Sequence, residues 1–374
     1  MNASLEAAPL VVHLLPQPDT GGGVHGVIKL IRHMPPGRYR HAIVCQSGEA
    51  ACHRQAAPRG VEIISLNKRA GKDLGHYLRL FHALRALQPD LVHTRNLGGI
   101  EGQLVAALAG VKLRLHGEHG APPSNPLLRR MLLPLIGHFI AVSTELERWL
   151  IDRVGAAPQR VWQIANGVDS VEFHPRLGPP AAVGPPGFLR DQDFVIGSVG
   201  TIDQGQRKLV DAFLRLIGAP HPAHQRLRLM IVGDGPLRAN CIETLRRGGA
   251  AERAWLPGTR GDIAQLLRAM DLFVLPSPAE GGGTLLEAMA SGLPVVATAV
   301  ETHRALVQPG LTGMLVPPRA PELMAAAIAD YWRIPEMAVR HGVRARREVI
   351  ARHSLPAMAR NYLAVYDALT ERGC

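Results

Sequence analysis

The chain of 374 residues contains few cysteines, few aromatic residues and no long apolar run. Its cysteines (Cys45, Cys52, Cys241 and Cys374) lack metal-ligand spacing, so we expect reduced thiols in the cytosol. No apolar run reaches the ~18–20 residues of a membrane span. The N-terminus lacks the basic region, long apolar core and cleavage site of a signal peptide. These absences predict a cytoplasmic protein.

Acidic residues are outnumbered, with 31 Asp+Glu against 42 Lys+Arg and a formal net charge of +11. Such charge suits a nucleic-acid ligand. However, the basic residues are dispersed and no aromatic residues are interleaved with them, so we expect no nucleic-acid partner. Anionic phosphosugars would account for the charge equally well. So would peripheral contact with an anionic membrane surface, at its inner face.

Apolar runs of strand length alternate with segments of helical spacing along the whole chain, which predicts doubly wound parallel sheets. The length suits two domains. Residues 176–188 are rich in proline and glycine and cannot continue a helix or a strand, so they are interpreted as a linker. We therefore predict a first domain over 1–187, a second over 188–350, and a C-terminal helix over 351–374 that packs back across both.

A strand, glycine loop, helix and strand follow one another in the second half, from Leu272 to Ala297. Backbone N–H groups and the positive end of the helix would attract a phosphate at such a loop. Glu280 and Glu287 flank the loop and would bind hydroxyl groups, which favours a phosphorylated sugar or a nucleotide-sugar. In the alternative interpretation, Thr284-x-x-Glu287 is a capping box that only begins the helix.

A second glycine loop lies near the N-terminus. Gly21-x-Gly23-x-x-Gly26 follows a predicted strand and precedes a helix, as in dinucleotide-binding proteins. An NAD(P)-dependent oxidoreductase is therefore an alternative. The acidic residue expected after the next strand is absent, because Gln46 stands there.

Three segments resemble the signature of glycosyltransferase family 4: Pro276-Ser277, Glu280-Gly281, and the run EAMASGLPVVA from Glu287 to Ala297. The resemblance implies the α/β GT-B fold, in which two Rossmann-like domains face each other across a cleft. It implies retaining, hexosyltransferase-type transfer from a nucleotide-sugar donor to a hydroxyl of a glycan or lipid-linked acceptor, with no metal or other cofactor. The segments His93-Thr94-Arg95-Asn96 and Gly117-Glu118-His119-Gly120 resemble exopolysaccharide transferases associated with the PEP-CTERM/exosortase system.

The resemblance also implies the site residues. Catalysis would fall to His119 and Glu280. Donor binding would fall to Gly22, Gly23, Arg207, Lys208, Gly281, Gly282, Gly283, Thr284, Leu285 and Glu287.

Several positions depart from the family pattern. Thr201 and Gln206 stand where the family has an arginine and a lysine that grip the donor diphosphate, and we expect Arg207 and Lys208 to replace them. The family's Gly-Gly loop has become residues 301–305, and the spacing from Glu280 to Glu287 is one residue short. A homologue that binds a sugar nucleotide without catalysis is therefore the main alternative, ahead of the oxidoreductase.

Overall fold

The computed structural model describes residues 8–15, 24–46, 58–69, 73–119, 126–179, 183–219, 222–277 and 282–373. The chain forms two compact units. The first unit is Met1–Gly167 together with Leu355–Cys374, and the second is Val168–Ser354. Within the described ranges, no helix is both long enough and apolar enough to span a membrane.

The described strands of the first unit form one parallel sheet in the order β3-β2-β1-β4-β5-β6-β7. Its strands are β1 Leu10–Leu15, β2 Arg40–Cys45, β3 Glu62–Ser65, β4 Leu91–Arg95, β5 Leu113–Glu118, β6 His138–Ala141 and β7 Val161–Gln163. The helices up to β7 are α1 Val24–Arg32, α2 Gly75–Leu87, α3 Leu97–Leu108, α4 Leu127–Leu132 and α5 Thr144–Trp149.

The core of the first unit lies on both faces of this sheet. Every residue of β1 is buried, which explains why its sequence is apolar apart from His13. The C-terminal helix, Leu355–Gly373, returns to this unit and buries Tyr362, Tyr366 and Leu369 against the sheet. The strand order reverses between β1 and β4, and ligands of open α/β sheets bind beyond the carboxyl ends of the strands at such a point.

The described strands of the second unit form another parallel sheet, in the order β10-β9-β8-β11-β12-β13. They are β8 Phe194–Val199, β9 Leu227–Val232, β10 Ala254–Gly258, β11 Leu272–Leu275, β12 Val295–Thr298 and β13 Gly313–Val316. The helices are α6 Gln204–Gly218, α7 Arg238–Arg247, α8 Ile263–Arg268, α9 Gly283–Ala290, α10 Glu301–Leu306, α11 Pro321–Arg333 and α12 Pro335–Arg352. The C-terminal helix of the first unit is therefore α13.

Two apolar clusters, one on each face, form the core of this unit. β9 and β11 are buried along their whole length. The strand order reverses at β8, which lies between β9 and β11. The expected pair of doubly wound parallel sheets is thereby confirmed.

The boundary between the two units differs from the boundary predicted at the proline-rich segment. Residues 168–187, placed by the sequence in the first domain, belong to the second unit. The reason is packing, because Val168 and Phe173 are buried in the core of the second unit. The backbone N–H of Val168 also donates to the carbonyl oxygen of His353, at 2.8 Å.

Candidate functional site

A cavity of about 530 Å³ lies in the second unit, at the carboxyl ends of β8, β9 and β10 and at the start of α9. It is lined by Val199, Gly200, Thr201, Val232, Gly233, Asp234, Thr259, Arg260, Ile263, Gly283 and Thr284. A larger cavity of about 700 Å³ lies near Asp271 and Pro294, which precede β11 and β12. The smaller one is the candidate site, because α/β sheets bind ligands beyond the carboxyl ends of their strands.

Close approach of two loops shapes one wall of the smaller cavity. Gly233 has a φ of 138°, and a Cβ at this position would overlap the carbonyl oxygen of Gly200. The backbone N–H of Gly200 donates to Val232, and that of Gly233 donates to Gly258, each at 2.9 Å. Only glycine accommodates this backbone conformation and this contact.

Helix α9 presents its amino end to the cavity. It begins at Gly283, with Gly282 as the N-cap residue and no side-chain cap, so the capping-box interpretation of Thr284 was wrong. Thr284 lies inside the first turn, and its buried hydroxyl has no hydrogen-bond partner among the described residues. First-turn N–H groups lack intrahelical acceptors. Gly283 and Thr284 therefore offer donors to a ligand in the cavity.

The remaining predicted residues of this loop contribute differently. The Leu285 side chain is buried in the core, which leaves only its backbone N–H for a ligand. Glu287 is half-buried, one turn into α9. Glu280 and Gly281 lie outside the described residues.

The expected replacement cations do not line this cavity in the described part of the chain. Arg207 donates from Nε to Asn240 at 2.9 Å, and its guanidinium also pairs with Asp211. Lys208 follows it on α6. The cation that lines the cavity is Arg260, which the sequence interpretation missed. Its position directly beyond β10 was the available signal, because that strand ends at Gly258.

Gln206 occupies the position of the family lysine and is fully buried. Neither atom of its amide has a hydrogen-bond partner within the described ranges. An amide carries no net charge, so this position cannot supply the electrostatic attraction of a lysine.

In the first unit, one face at the ends of β4 and β5 is filled by a closed polar network. His116 bonds to Thr94 through Nδ1 at 2.8 Å and to Glu118 through Nε2 at 3.1 Å. Arg129 pairs with the same carboxylate. Burial raises the pKa of Glu118, but the hydrogen bonds from His116 and Arg129 outweigh it and lower this pKa to about 2. The network is structural, because its ionised groups are paired with one another.

His119 follows β5 directly and is positioned by two asparagines. Its backbone N–H donates to Oδ1 of Asn96 at 2.9 Å, and its ring hydrogen-bonds to the side chain of Asn166. The ring Nε2 is buried and has no partner among the described residues. Burial, and then the charge of Arg95, lowers the pKa of His119 to about 3. The imidazole is therefore neutral at physiological pH, with one ring nitrogen available to a ligand.

Two predicted glycines, Gly22 and Gly23, lie outside the described residues. Within those ranges, no group of three or more His, Cys, Asp or Glu side chains is arranged to hold a metal ion. Asp193, from the Asp-x-Asp pattern before β8, forms an ion pair with the buried Arg228 at 3.0 Å.

Family models match both halves of the chain. The model described as Glycosyltransferase Family 4 matches residues 20–172. The model described as Glycosyl transferases group 1 matches residues 193–333.

Two named relatives agree with these matches. The D-inositol 3-phosphate glycosyltransferase of Kineococcus radiotolerans is 30% identical over 324 residues, which span 76% of this chain and 74% of that protein. The Escherichia coli enzyme named UDP-Gal:alpha-D-GlcNAc-diphosphoundecaprenol alpha-1,3-galactosyltransferase is 27% identical over 258 residues. That alignment spans 66% of this chain and 67% of the enzyme.

The fold also matches solved structures. The crystal structure of Anabaena HepE in complex with UDP and glucose superposes with a TM-score of 0.73 at 20% identity, and the match covers 96% of this chain and 100% of HepE. The two sheets therefore form the GT-B fold. Together with the sequence matches, this shows that the chain belongs to glycosyltransferase family 4 and is a glycosyltransferase.

Proposed function

We propose that the protein transfers a hexosyl group, with retention, from a nucleoside-diphosphate sugar to a hydroxyl of a glycan or lipid-linked acceptor in exopolysaccharide synthesis. The observation that carries this proposal is the cavity of the second unit. There the first turn of α9 and the Thr284 hydroxyl, which has no partner among the described residues, offer hydrogen-bond donors beside Arg260, whose guanidinium pairs with Asp262. This combination suits a diphosphate.

The names of two similar proteins support the donor and acceptor classes. Anabaena HepE was crystallised with UDP and glucose. The E. coli relative is named for a UDP-sugar donor and a diphosphoundecaprenol acceptor. We therefore propose a uridine nucleotide as the first donor to test, and peripheral action at the inner membrane face.

The reaction breaks the bond between the anomeric carbon and a diphosphate oxygen, and forms a bond from the acceptor oxygen to the same carbon. Charge develops on the departing diphosphate, so fixed donors around it stabilise the transition state. In the proposal these donors are the α9 N–H groups, Thr284 and Arg260, and no metal ion is needed. The acceptor proton passes to the departing phosphate oxygen, because His119, with a pKa of about 3, is a weak base.

The proposed roles of the other predicted residues follow from the resemblance. Glu287 would bind the ribose hydroxyls, and Glu280 the donor sugar. Arg207 and Lys208 remain predicted diphosphate ligands. Arg207 could take this role only by leaving Asp211 and Asn240. Arg260 lines the cavity but is also paired, since it donates two hydrogen bonds to Asp262, at 2.9 and 2.8 Å.

Thr284→Val tests the assignment of the cavity. The substitution removes the hydroxyl and keeps the side-chain shape, so UDP binding measured by calorimetry should weaken about tenfold through loss of one hydrogen bond to a charged group. Thr244→Val is the matched control, because the Thr244 hydroxyl bonds to Asn240 on the exposed side of α7. Equal UDP affinity in wild type and Thr284→Val would contradict this placement of the diphosphate.

Turnover of a panel of nucleotide-sugars, with and without a glycan acceptor, tests the activity itself. Release of nucleoside diphosphate with formation of the glycoside is the expected result. Specific nucleotide binding without any turnover would instead establish a binding protein that has lost catalysis.

A further inference from the structure

Arg95 is a buried cation without a counter-ion among the described residues. Its side chain is 7% exposed, and neither Nε nor Nη2 has a hydrogen-bond partner within the described ranges. No carboxylate of the described residues pairs with it. Removing a charge from water without compensation is costly, so a buried guanidinium of this kind is expected to meet an anion that binds from outside.

The two faces of β4 explain why Arg95 is left unpaired. Side chains alternate between the faces of a strand, which places Thr94 in the closed network of His116 and Glu118. His93 and Arg95 share the opposite face, which α13 covers. There His93 Nδ1 bonds to the Tyr366 hydroxyl at 3.0 Å, and the Arg95 guanidinium lies 5.7 Å from the centre of the Tyr362 ring. Neither tyrosine supplies a negative charge.

Two histidines bring further unpartnered nitrogens to the same place. Arg95 pairs in register with Gly117 across the β4–β5 ladder. A Cβ at Gly117 would lie 3.2 Å from Nε2 of His93 and 3.2 Å from Nε2 of His119. Both nitrogens are buried and lack partners within the described residues. The absence of a side chain at Gly117 therefore leaves the two imidazole Nε2 atoms facing one point, beside the strand position of Arg95.

The protonation of these groups makes the cluster a set of donors around one fixed positive charge. Burial, and then the charge of Arg95, holds the pKa of His93 well below its ordinary value. The same two causes act on His119, so both rings are neutral. When Tyr366 donates to Nδ1 of His93, the ring proton is on Nε2 and can be donated to a ligand. An arginine keeps its charge at any physiological pH.

The backbone around the cluster is held in an uncommon conformation. Asn96, which follows Arg95, has φ 55° and ψ 178°, a region that is costly for a residue with a side chain. Its N–H donates to the Gly117 carbonyl oxygen at 2.8 Å, and its side chain holds the His119 N–H. These bonds keep the ends of β4 and β5 together.

We propose that Arg95, with His93 and His119, binds a phosphate group of the sugar acceptor. This inference rests on the proposed transferase function and narrows its acceptor to phosphorylated compounds, such as a glycosyl phosphate or diphosphate. The planar fork of the guanidinium matches two phosphate oxygens. The two imidazoles contact a third oxygen, which a carboxylate does not have.

Acceptor probes that differ only in the phosphate test the proposal. N-acetylglucosamine 1-phosphate and the methyl glycoside of the same sugar are titrated into the full chain already saturated with UDP. The phosphate should bind at least tenfold more tightly to the wild type. Arg95→Gln should remove that difference, whereas Arg38→Gln, at an exposed arginine of the same unit paired with Asp367, should leave it unchanged.

Thermal stability separates a ligand role from a structural one. Arg95 pairs with no carboxylate of the described residues, and its guanidinium loses only the contact with the Tyr362 ring. Arg95→Gln should therefore leave the Tm of the ligand-free protein unchanged or raise it. A Tm lowered by several degrees, with the preference for phosphate intact, would show that Arg95 is structural and overturn the proposal.

A further outcome would show whether the phosphate comes from the donor or from the acceptor. If Arg95→Gln weakens UDP binding and the sugar phosphate does not compete with UDP, the anion belongs to the donor, and the acceptor assignment is wrong.

The titrations measure binding and need no turnover. Phosphate binding lost in Arg95→Gln would therefore support the site even if no nucleotide-sugar were turned over, which would contradict the proposed function alone.

Discussion

At the scale of single residues, the first unit contains buried, neutral histidines, and these make the stability of the folded state depend on pH. His41 is 6% exposed, its Nδ1 lies 3.3 Å from Nε2 of His13, and burial lowers its pKa from 6.5 to about 4. A histidine with a lowered pKa in the folded state takes up its proton more readily when unfolded. Acidification from pH 6.5 towards 4 therefore favours the unfolded state.

We predict that His41→Gln reduces this acid sensitivity. At pH 5 the wild-type residue should cost the folded state about 2 kcal/mol relative to pH 7.5. In urea unfolding of the first unit, the variant should lose less stability between these two pH values. His82→Gln, at an exposed position of α2, is the control. Identical pH dependence in wild type and His41→Gln would show that His41 does not contribute.

The sequence identified single candidate residues, but it did not show which side chains would bond to one another. The segment His93 to Asn96 stood out as a family motif, and His119 was singled out from its place after a strand. Nothing in the sequence indicated that the Thr94 hydroxyl would be hydrogen-bonded while Arg95 lacks a counter-ion among the described residues. That difference arises from which face of β4 meets α3 and which meets α13, and the residues concerned are far apart in the chain.

At the scale of the element, predominantly apolar runs identify the central strands. Residues 10–15 and 227–232 are apolar apart from His13 and Arg228, which predicts strands at the bounds observed for β1 and β9, because strands buried on both faces have no regular polar alternation. The sequence interpretation missed β7 and β13, which are only partly buried, unlike the four-residue strands β11 and β12. β5 continues to Glu118, whereas its apolar residues predict a strand over 112–115 that ends at His116.

Two predictions about the candidate site failed because the sequence did not show where α9 begins or which way the side chains of α6 face. α9 begins one residue before Thr284 and so places that hydroxyl in the cavity rather than in a cap. On α6, Arg207 meets Asn240 of α7. Such rotations depend on the packing of neighbouring helices, which the spacing of charged residues does not reveal.

Helix α13 should contribute strongly to the stability of the first unit. Leu369 is 2% exposed and packs in a cluster with Leu30 and Tyr39. We predict that Leu369→Ala lowers the free energy of unfolding by roughly 2–5 kcal/mol, as expected for a core leucine. Asn361→Ala, on the exposed side of α13, should change it by less than about 0.5 kcal/mol. Equal effects in denaturant unfolding would contradict the assigned packing.

At the scale of the whole molecule, the second unit is continuous in sequence and the first is not. The second unit has apolar clusters on both faces of its sheet. We predict that residues 168–354 expressed alone fold cooperatively, whereas residues 1–167 alone do not, because their sheet lacks α13. Circular dichroism melting of the two fragments provides the measurement. A cooperative transition in the 1–167 fragment would show that α13 is dispensable.

The discontinuity of the first unit also sets an order of events during synthesis on the ribosome. Residues up to Gly167 emerge first, but the apolar face that Tyr362 and Leu369 cover stays open until Leu355 and the residues after it have been translated. The second unit emerges in one piece during that interval and can fold while the first waits. The half of the protein that is made first is therefore completed last, and in the meantime the apolar face that α13 will cover is exposed to solvent.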